Sequence, residues 1–212
     1  MTTVFDANDR SDHTKSLAFL DPNGGVSIQR YDTLKYKQFE KLTEKQLSFF
    51  WLPQEVDTLR DAKDFKELSA YEQHIFTSNL KRQILLDSVQ GRAPAVAFGP
   101  ICSLPELETW ITTWTFSETI HSRSYTHIIR NVYGVPKEEF NKIHDTTEIA
   151  GMASHVGKYY EDLHQLNCRK ELGEDIPVKE HKKAIWLALH ASYALEAFRF
   201  MVRSEERRVG KE

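Results

Sequence analysis

Glu118, His121 and Tyr125 stand three and four residues apart in the run Trp114-Thr115-Phe116-Ser117-Glu118-Thr119-Ile120-His121-Ser122-Arg123-Ser124-Tyr125. At about 100° per residue, that spacing stacks a carboxylate, an imidazole and a phenol along one helix face. Trp110 and Trp114 extend the stripe backwards, and Ile111, Phe116, Ile120, Ile128 and Ile129 surround it. Such company marks a core helix and not a wet one. Buried polar groups need partners once water is gone, and one metal ion supplies partners to a carboxylate and an imidazole together. On spacing alone a solvated Glu–His pair is the competing reading; the apolar setting argues for the metal.

Two more acids lie where a core helix seldom keeps them. Asp87 closes the apolar face Leu80–Ile84 on the preceding helix, and Glu196 sits inside Tyr193-Ala194-Leu195-Glu196-Ala197-Phe198-Arg199-Phe200. An unpaired buried carboxylate is costly or shifts its pKa until it is neutral. The bland alternatives are a helix-end Asp87 facing water and an i+3 ion pair between Glu196 and Arg199. Taken together the helices give a single acid, then Glu-x-x-His, then a single acid. This is the ligand order of most of a ferritin-like di-metal bundle, which calls for one further Glu-x-x-His. The other such pair, Glu161 and His164, precedes Glu196 on a polar-rich stretch, which argues against it as a ligand set. The remaining histidines have no ligand partner at useful spacing and read as surface or polar-network residues.

The elements that must position these groups are helical. Leu34, Phe39, Leu42, Leu47 and Phe50 give an amphipathic helix within 31–50, stopped by Pro53. Ser69-Ala70-Tyr71-Glu72 is a capping box opening a helix that carries Asp87 and ends near Gly91. Residues 91–103, with two prolines, form a loop or broken helix. Ser103-Leu104-Pro105-Glu106 reads as a second capping box, opening the central helix that Tyr133-Gly134 and Pro136 close. Asp145-Thr146-Thr147-Glu148 opens a helix to about Cys168. A last helix begins near Lys179 and is apolar almost all round from 184 to 202. No sustained alternation or 20–50-residue repeat appears, so the fold class is all-α. Residues 1–30, polar and carrying Asn23-Gly24-Gly25, form an extended or mobile arm; 31–202 form the helical domain; 203–212 are a run of charge that follows an apolar helix abruptly.

With 212 residues, the chain is long enough for one domain with a sizeable core. A net charge of −3 offers no basic stripe, so nucleic-acid binding has no electrostatic support. Cys102 and Cys168 lack C-x-x-C spacing and read as reduced thiols. No signal-peptide h-region opens the chain, and the apolar run 184–198 is too short to cross a bilayer. The expected setting is soluble and cytoplasmic, without membrane or nucleic-acid partners.

The blocks Glu44-Lys45-Gln46-Leu47-Ser48-Phe49-Phe50-Trp51, Leu85-Leu86-Asp87-Ser88-Val89-Gln90-Gly91-Arg92, Pro105-Glu106-Leu107-Glu108-Thr109-Trp110 and Phe116-Ser117-Glu118-Thr119-Ile120-His121-Ser122-Arg123-Ser124-Tyr125-Thr126-His127 resemble the small (beta) subunit of aerobic class I ribonucleotide reductase. The likeness runs over 31–202. It implies a ferritin-like helical bundle with two irons per subunit, or manganese in their place. Asp87, Glu118 and His121 would be ligands of one metal, Glu196 a ligand of the other, and Glu118 a bridge. Tyr125 matches the tyrosine oxidised by O2 chemistry to a stable radical, and Phe200 an apolar residue shielding it. Trp51 matches the tryptophan starting electron transfer to the large (alpha) subunit, where ribonucleoside diphosphates are reduced. Homodimerisation is implied too. Ser204 stands where another shielding aromatic is expected, and no second Glu-x-x-His follows. The expectation is therefore an incomplete bundle lacking its C-terminal helices, inactive alone. Two rivals stay open: another ferritin-like oxidase or iron-handling protein, and a non-catalytic helical interaction module.

Overall fold

The Ser69 capping box forms as the sequence requires. The Ser69 hydroxyl accepts from the Glu72 amide (3.3 Å), and the Glu72 carboxylate accepts from the Ser69 amide (2.8 Å). The computed structural model describes residues 6–24, 28–145 and 147–200, with the side chains of His144, Asp145 and Arg199 left aside. Ser204 and the charged run 203–212 lie outside the described residues.

Eight α-helices follow in order: α1 (Lys37–Ser48), α2 (Asp61–Glu67), α3 (Ala70–Gln90), α4 (Ala93–Phe98), α5 (Pro105–Val132), α6 (Pro136–Asn141), α7 (Thr147–Glu171) and α8 (Val178–Ala194), among the described residues. α8 runs on into a π-helical turn, Leu195–Arg199. No strand forms among them; one isolated bridge pairs Phe19 with Cys102. At 28 residues, α5 is about 42 Å long and is the axis of the molecule. α1, α3 and α4 pack along it, α7 packs on α3 and α4, and α8 lies against α7. The main apolar core joins Leu86, Phe98, Leu104, Leu107, Ile111, Val156, Tyr160, Leu163 and Leu195. No described helix is long and apolar enough to cross a membrane.

Three sequence expectations change. The first concerns Ser103–Glu106, which is not a capping box: α5 starts on Leu104 with no side-chain cap. The Ser103 hydroxyl is spent on the Asp21 amide (3.3 Å), and Pro105 has no N–H to offer. Glu106 is instead fully buried, and its carboxylate accepts from the amide of Tyr36 (2.9 Å), the residue that caps α1. The carboxylate thus ties the start of one helix to the start of another.

The second concerns the N-terminal segment: the sequence leaves it an extended or mobile arm, and its described part makes specific contacts with the 98–103 region. Leu20 donates its amide to the Ile101 carbonyl (2.9 Å), Ser103 donates to Ala18 (3.1 Å), and the Phe19 and Phe98 rings lie 5.9 Å apart. The third concerns α8, whose all-round apolar sequence is only half used. Ile185 and Ala188 are buried, as is Leu195 just beyond the helix, while Trp186 and Tyr193 stay 57% and 67% exposed.

Candidate metal centre

α3 delivers Asp87 one turn before it ends. Leu80, Gln83, Leu86, Asp87 and Gln90 are its buried residues, so burying the face that holds Leu80 and Leu86 also buries the acid, at 2% exposure. Gly91 follows at the helix end. A Cβ there would stand 3.1 Å from the Asp87 carbonyl oxygen and 3.8 Å from the Glu118 Cβ, so glycine lets α3 finish against α5 at this level. α5 presents Glu118, also buried, and His121 one turn on, at the edge of solvent. One ligand atom each of Asp87, Glu118 and His121 lies within 4.8 Å of the others.

The three groups share an electrostatic problem. His121 Nδ1 meets Glu118 Oε2 at 3.0 Å, and this bond, working against burial, raises the imidazole pKa, with Glu118, Asp87 and Glu196 adding charge. Trp114 Nε1 donates to the second Glu118 oxygen at 3.0 Å. Asp87 is pushed up to about 7, first by burial and then by Glu118 and Glu196, although a hydrogen bond with Tyr125 and the charge of His121 pull the other way. Its Oδ2 has no hydrogen-bond partner. A desolvated carboxylate with an orphaned oxygen, facing another carboxylate and an imidazole, has the donors and the electrostatic deficit that a cation relieves. The residues fit a hard divalent metal.

Glu196 approaches from the π turn, where Phe200 donates to the Leu195 carbonyl (3.1 Å) instead of closing an α turn. Turns of this kind recur at functional sites because they re-aim one side chain. Although the residue as a whole is exposed, burial of its carboxylate raises the pKa, as does Glu118, against the bond from Gln90. Gln90 Nε2 donates to Glu196 Oε1 at 2.7 Å, and Tyr160 donates its phenol to Gln90 Oε1 at 2.8 Å. Three of the four candidate ligands therefore converge, and the fourth is held beside them by an amide.

Tyr125 is buried with Leu80 and Ile129; Ile84, Ile128, Tyr133 and Phe140 pack on this cluster. The apolar neighbours of Tyr125 come from α3, α5 and the segment after α5, and Asp87 is a polar partner. Trp51 and His121 line one small hollow together with Phe50, Phe116 and Ile120. Its volume, about 20 Å³, suits roughly one water. Phe200 packs against the main core, not in the cluster around Tyr125. Glu161 is exposed and accepts from Gln165 (3.0 Å), while His164 sits beside Cys168 Sγ (3.6 Å from Nε2), so this second Glu–His pair faces away from the centre. His181 is buried with Nε2 2.7 Å from Asn167 Oδ1, a polar-network histidine.

Sequence reasoning misses the supporting amides and indole. Gln90, fully buried three residues after Asp87, shares its face, and that spacing is the available signal. Trp114, four residues before Glu118, is visible as part of the stripe but not as a donor.

A family model for the ribonucleotide reductase small chain matches residues 29–203. The ribonucleoside-diphosphate reductase subunit beta of Buchnera aphidicola (subspecies Baizongia pistaciae) is 55% identical over 188 residues, covering 84% of this chain and 50% of that protein. Among solved structures, the ribonucleotide reductase R2 subunit from Clostridium botulinum superposes with a TM-score of 0.73 at 20% identity, over 92% of this chain and 56% of that one. The dimanganese(II)-NrdF of Streptococcus sanguinis gives 0.58 at 20% identity, over 63% and 48%. These likenesses speak for the fold, a ferritin-like helical bundle. The chain spans about half the length of the relative from Buchnera. With the family match running from residue 29 to residue 203, the chain belongs to the ribonucleotide reductase small-chain family.

Proposed function

We propose that this chain carries the metal-binding and radical-bearing part of a ribonucleoside-diphosphate reductase small subunit, which serves a large subunit in converting ribonucleotides to deoxyribonucleotides. The observation that carries the reading is one juxtaposition: a buried carboxylate–carboxylate–imidazole cluster, and one helical turn beyond it a phenol in an apolar chamber. Asp87, Glu118 and His121 would hold one metal, and Glu196 together with Glu118 would hold a second. Oxygen and nitrogen donors of this hardness suit iron, and manganese fits the same set. When bound, the metal pair supplies the oxidising power, drawn from O2, that Tyr125 needs to lose an electron.

The chain's own residues do the rest. Asp87, hydrogen-bonded to Tyr125, would orient the phenol towards the centre. Leu80, Ile84, Ile128 and Ile129 keep water from the ring. Trp114 and Gln90 hold Glu118 and Glu196 in place, as outer hydrogen-bond partners hold metal ligands. Trp51 shares a hollow with His121, which supports a role for it in relaying an electron between the centre and a large subunit. Homodimerisation belongs to the same proposal.

The test is electron paramagnetic resonance on a protein of the relatives' full length carrying these residues, given reduced iron and O2. A tyrosyl signal that Tyr125→Phe abolishes, with metal content nearly unchanged, is expected. A signal that survives Tyr125→Phe, or metal binding indifferent to Asp87 and Glu118, overturns the assignment.

A further inference from the structure

The cluster that holds Tyr125 is packed against by a piece of chain that cannot stand alone. α6 has six residues, too few for a helix to hold itself in water. It is held at two neighbouring positions. Phe140 packs on the cluster of Leu80, Tyr125 and Ile129, and the Glu139 carboxylate bridges Lys81 Nζ (3.0 Å) and Lys142 Nζ (3.0 Å). On both elements the charged residue is the sequence neighbour of the apolar one: Leu80 and Lys81 on α3, Phe140 and Glu139 on α6. Ion pair and apolar contact therefore act at the same place. Lys81 and Glu139 are only 13% and 18% exposed, against 81% and 66% for the surface pair Lys63–Glu67, so water and salt screen the first pair far less. A second anchor lies just upstream, where Tyr133 and Thr77 share a hydrogen bond (2.7 Å) and the Phe65 ring stands 5.1 Å from Tyr133.

We propose that α6 is a plug on the tyrosine chamber, with Phe140 as its stopper and Glu139 as the positioning residue that seats it through Lys81. The proposal deepens the reading of Tyr125 as the oxidisable residue, because an oxidised phenol lasts only while water and reductants are kept from it. Tyr133 and Phe140 are only partly buried where Tyr125, Leu80 and Ile129 are buried, so they form the outer layer of that cluster.

Nitration of the purified, metal-free chain by tetranitromethane, mapped by peptide mass spectrometry, tests the plug without metal or radical. Tyr160 is the internal control: it is equally buried but sits in the main core. Exposed Tyr71 reports that the reagent works. Glu139→Gln and Phe140→Ala should each speed nitration of Tyr125 by about tenfold through local opening, leave Tyr160 protected, and Phe140→Leu should restore protection. Variants in which Tyr125 stays as protected as in the native chain, or in which Tyr125 and Tyr160 open together, overturn the plug. A full-length protein that forms no radical would instead defeat the functional reading while leaving the nitration result standing.

Discussion

One helical turn of α5 separates His121 from Tyr125, and the two residues live in opposite surroundings. Around His121 the buried groups are charged: Glu118 and Asp87 crowd each other, the Asp87 pKa is driven up to about 7, and one carboxylate oxygen has no partner. Around Tyr125 the neighbours are Leu80, Ile84, Ile128 and Ile129, and the polar contact faces back to Asp87. One region stores electrostatic strain that a cation would relieve. The other is ordinary core. The contrast shows that a charged pocket and an apolar chamber need only a turn of helix between them, provided a second helix (here α3) supplies Asp87 to one and Leu80 to the other.

Removing a ligand should break the charged side most severely. Glu118→Ala takes away the carboxylate that meets both His121 and Trp114. Iron or manganese affinity, read by titration calorimetry, should fall by more than the ~10–100-fold that loss of an outer hydrogen-bond partner costs.

Asp87→Asn should sharpen the contrast next, because it relieves strain instead of removing packing. The Asp87 pKa is raised from 3.8 in the unfolded chain to about 7 in the fold, so its contribution to stability is full below the lower value and is lost as pH rises through the upper. His121 and Glu196, also raised, act in the same direction, while His181, lowered by burial, acts against them. Comparing variant with wild type reads Asp87 together with the charge it lends to His121. At pH 8 the metal-free variant should be the more stable by on the order of 4 kcal/mol, and near pH 4 the two should converge. Thermal melts at the two pH values decide it, and equal melting temperatures at pH 8 would contradict the strain.

Much of this contrast is legible in the sequence, because both halves rest on helical periodicity. Spacing and apolar company mark Asp87, Glu118 and His121, and the Ser69–Glu72 box marks the start of α3. What escapes has no periodic signature. α2 and α6 are seven and six residues long, less than any hydrophobic stripe needs to declare itself. The docking of Phe19 on Cys102 is a single bridge in an irregular segment. Ser103 and Glu106 satisfy a local pattern that tertiary partners, the Asp21 and Tyr36 amides, override. Gln90 carries no charge and no ligand signature, so only its place in space reveals what it holds.

On the apolar side the sign reverses. Leu80→Ala, at 8% exposure, should leave metal affinity unchanged and lower stability by about 2–3 kcal/mol, since a cavity opens beside Tyr125. Urea unfolding of the metal-free chain measures it. A loss of metal affinity of the same size would mean that the two regions are not separable.

The smallest effect tests the link between Glu196 and the converged three. Gln90 donates to Glu196 with its amide nitrogen and accepts from Tyr160 with its oxygen, so it is fully engaged at both ends. Gln90→Leu keeps the side chain's bulk and removes these two bonds together with the amide's donation to Ser192 Oγ (3.3 Å). Glu196, on a π turn with an exposed flank, then has no fixed aim, and the proposed second metal position should lose its orientation before the first does. Titration with iron should show the weaker of two binding steps loosened by about tenfold and the tighter step unmoved. The buried Tyr160 hydroxyl would also lose its acceptor in Gln90, and a shift in tyrosine absorbance would report that separately. If both steps weakened equally, Gln90 would be supporting the whole centre through α3 and not Glu196 alone.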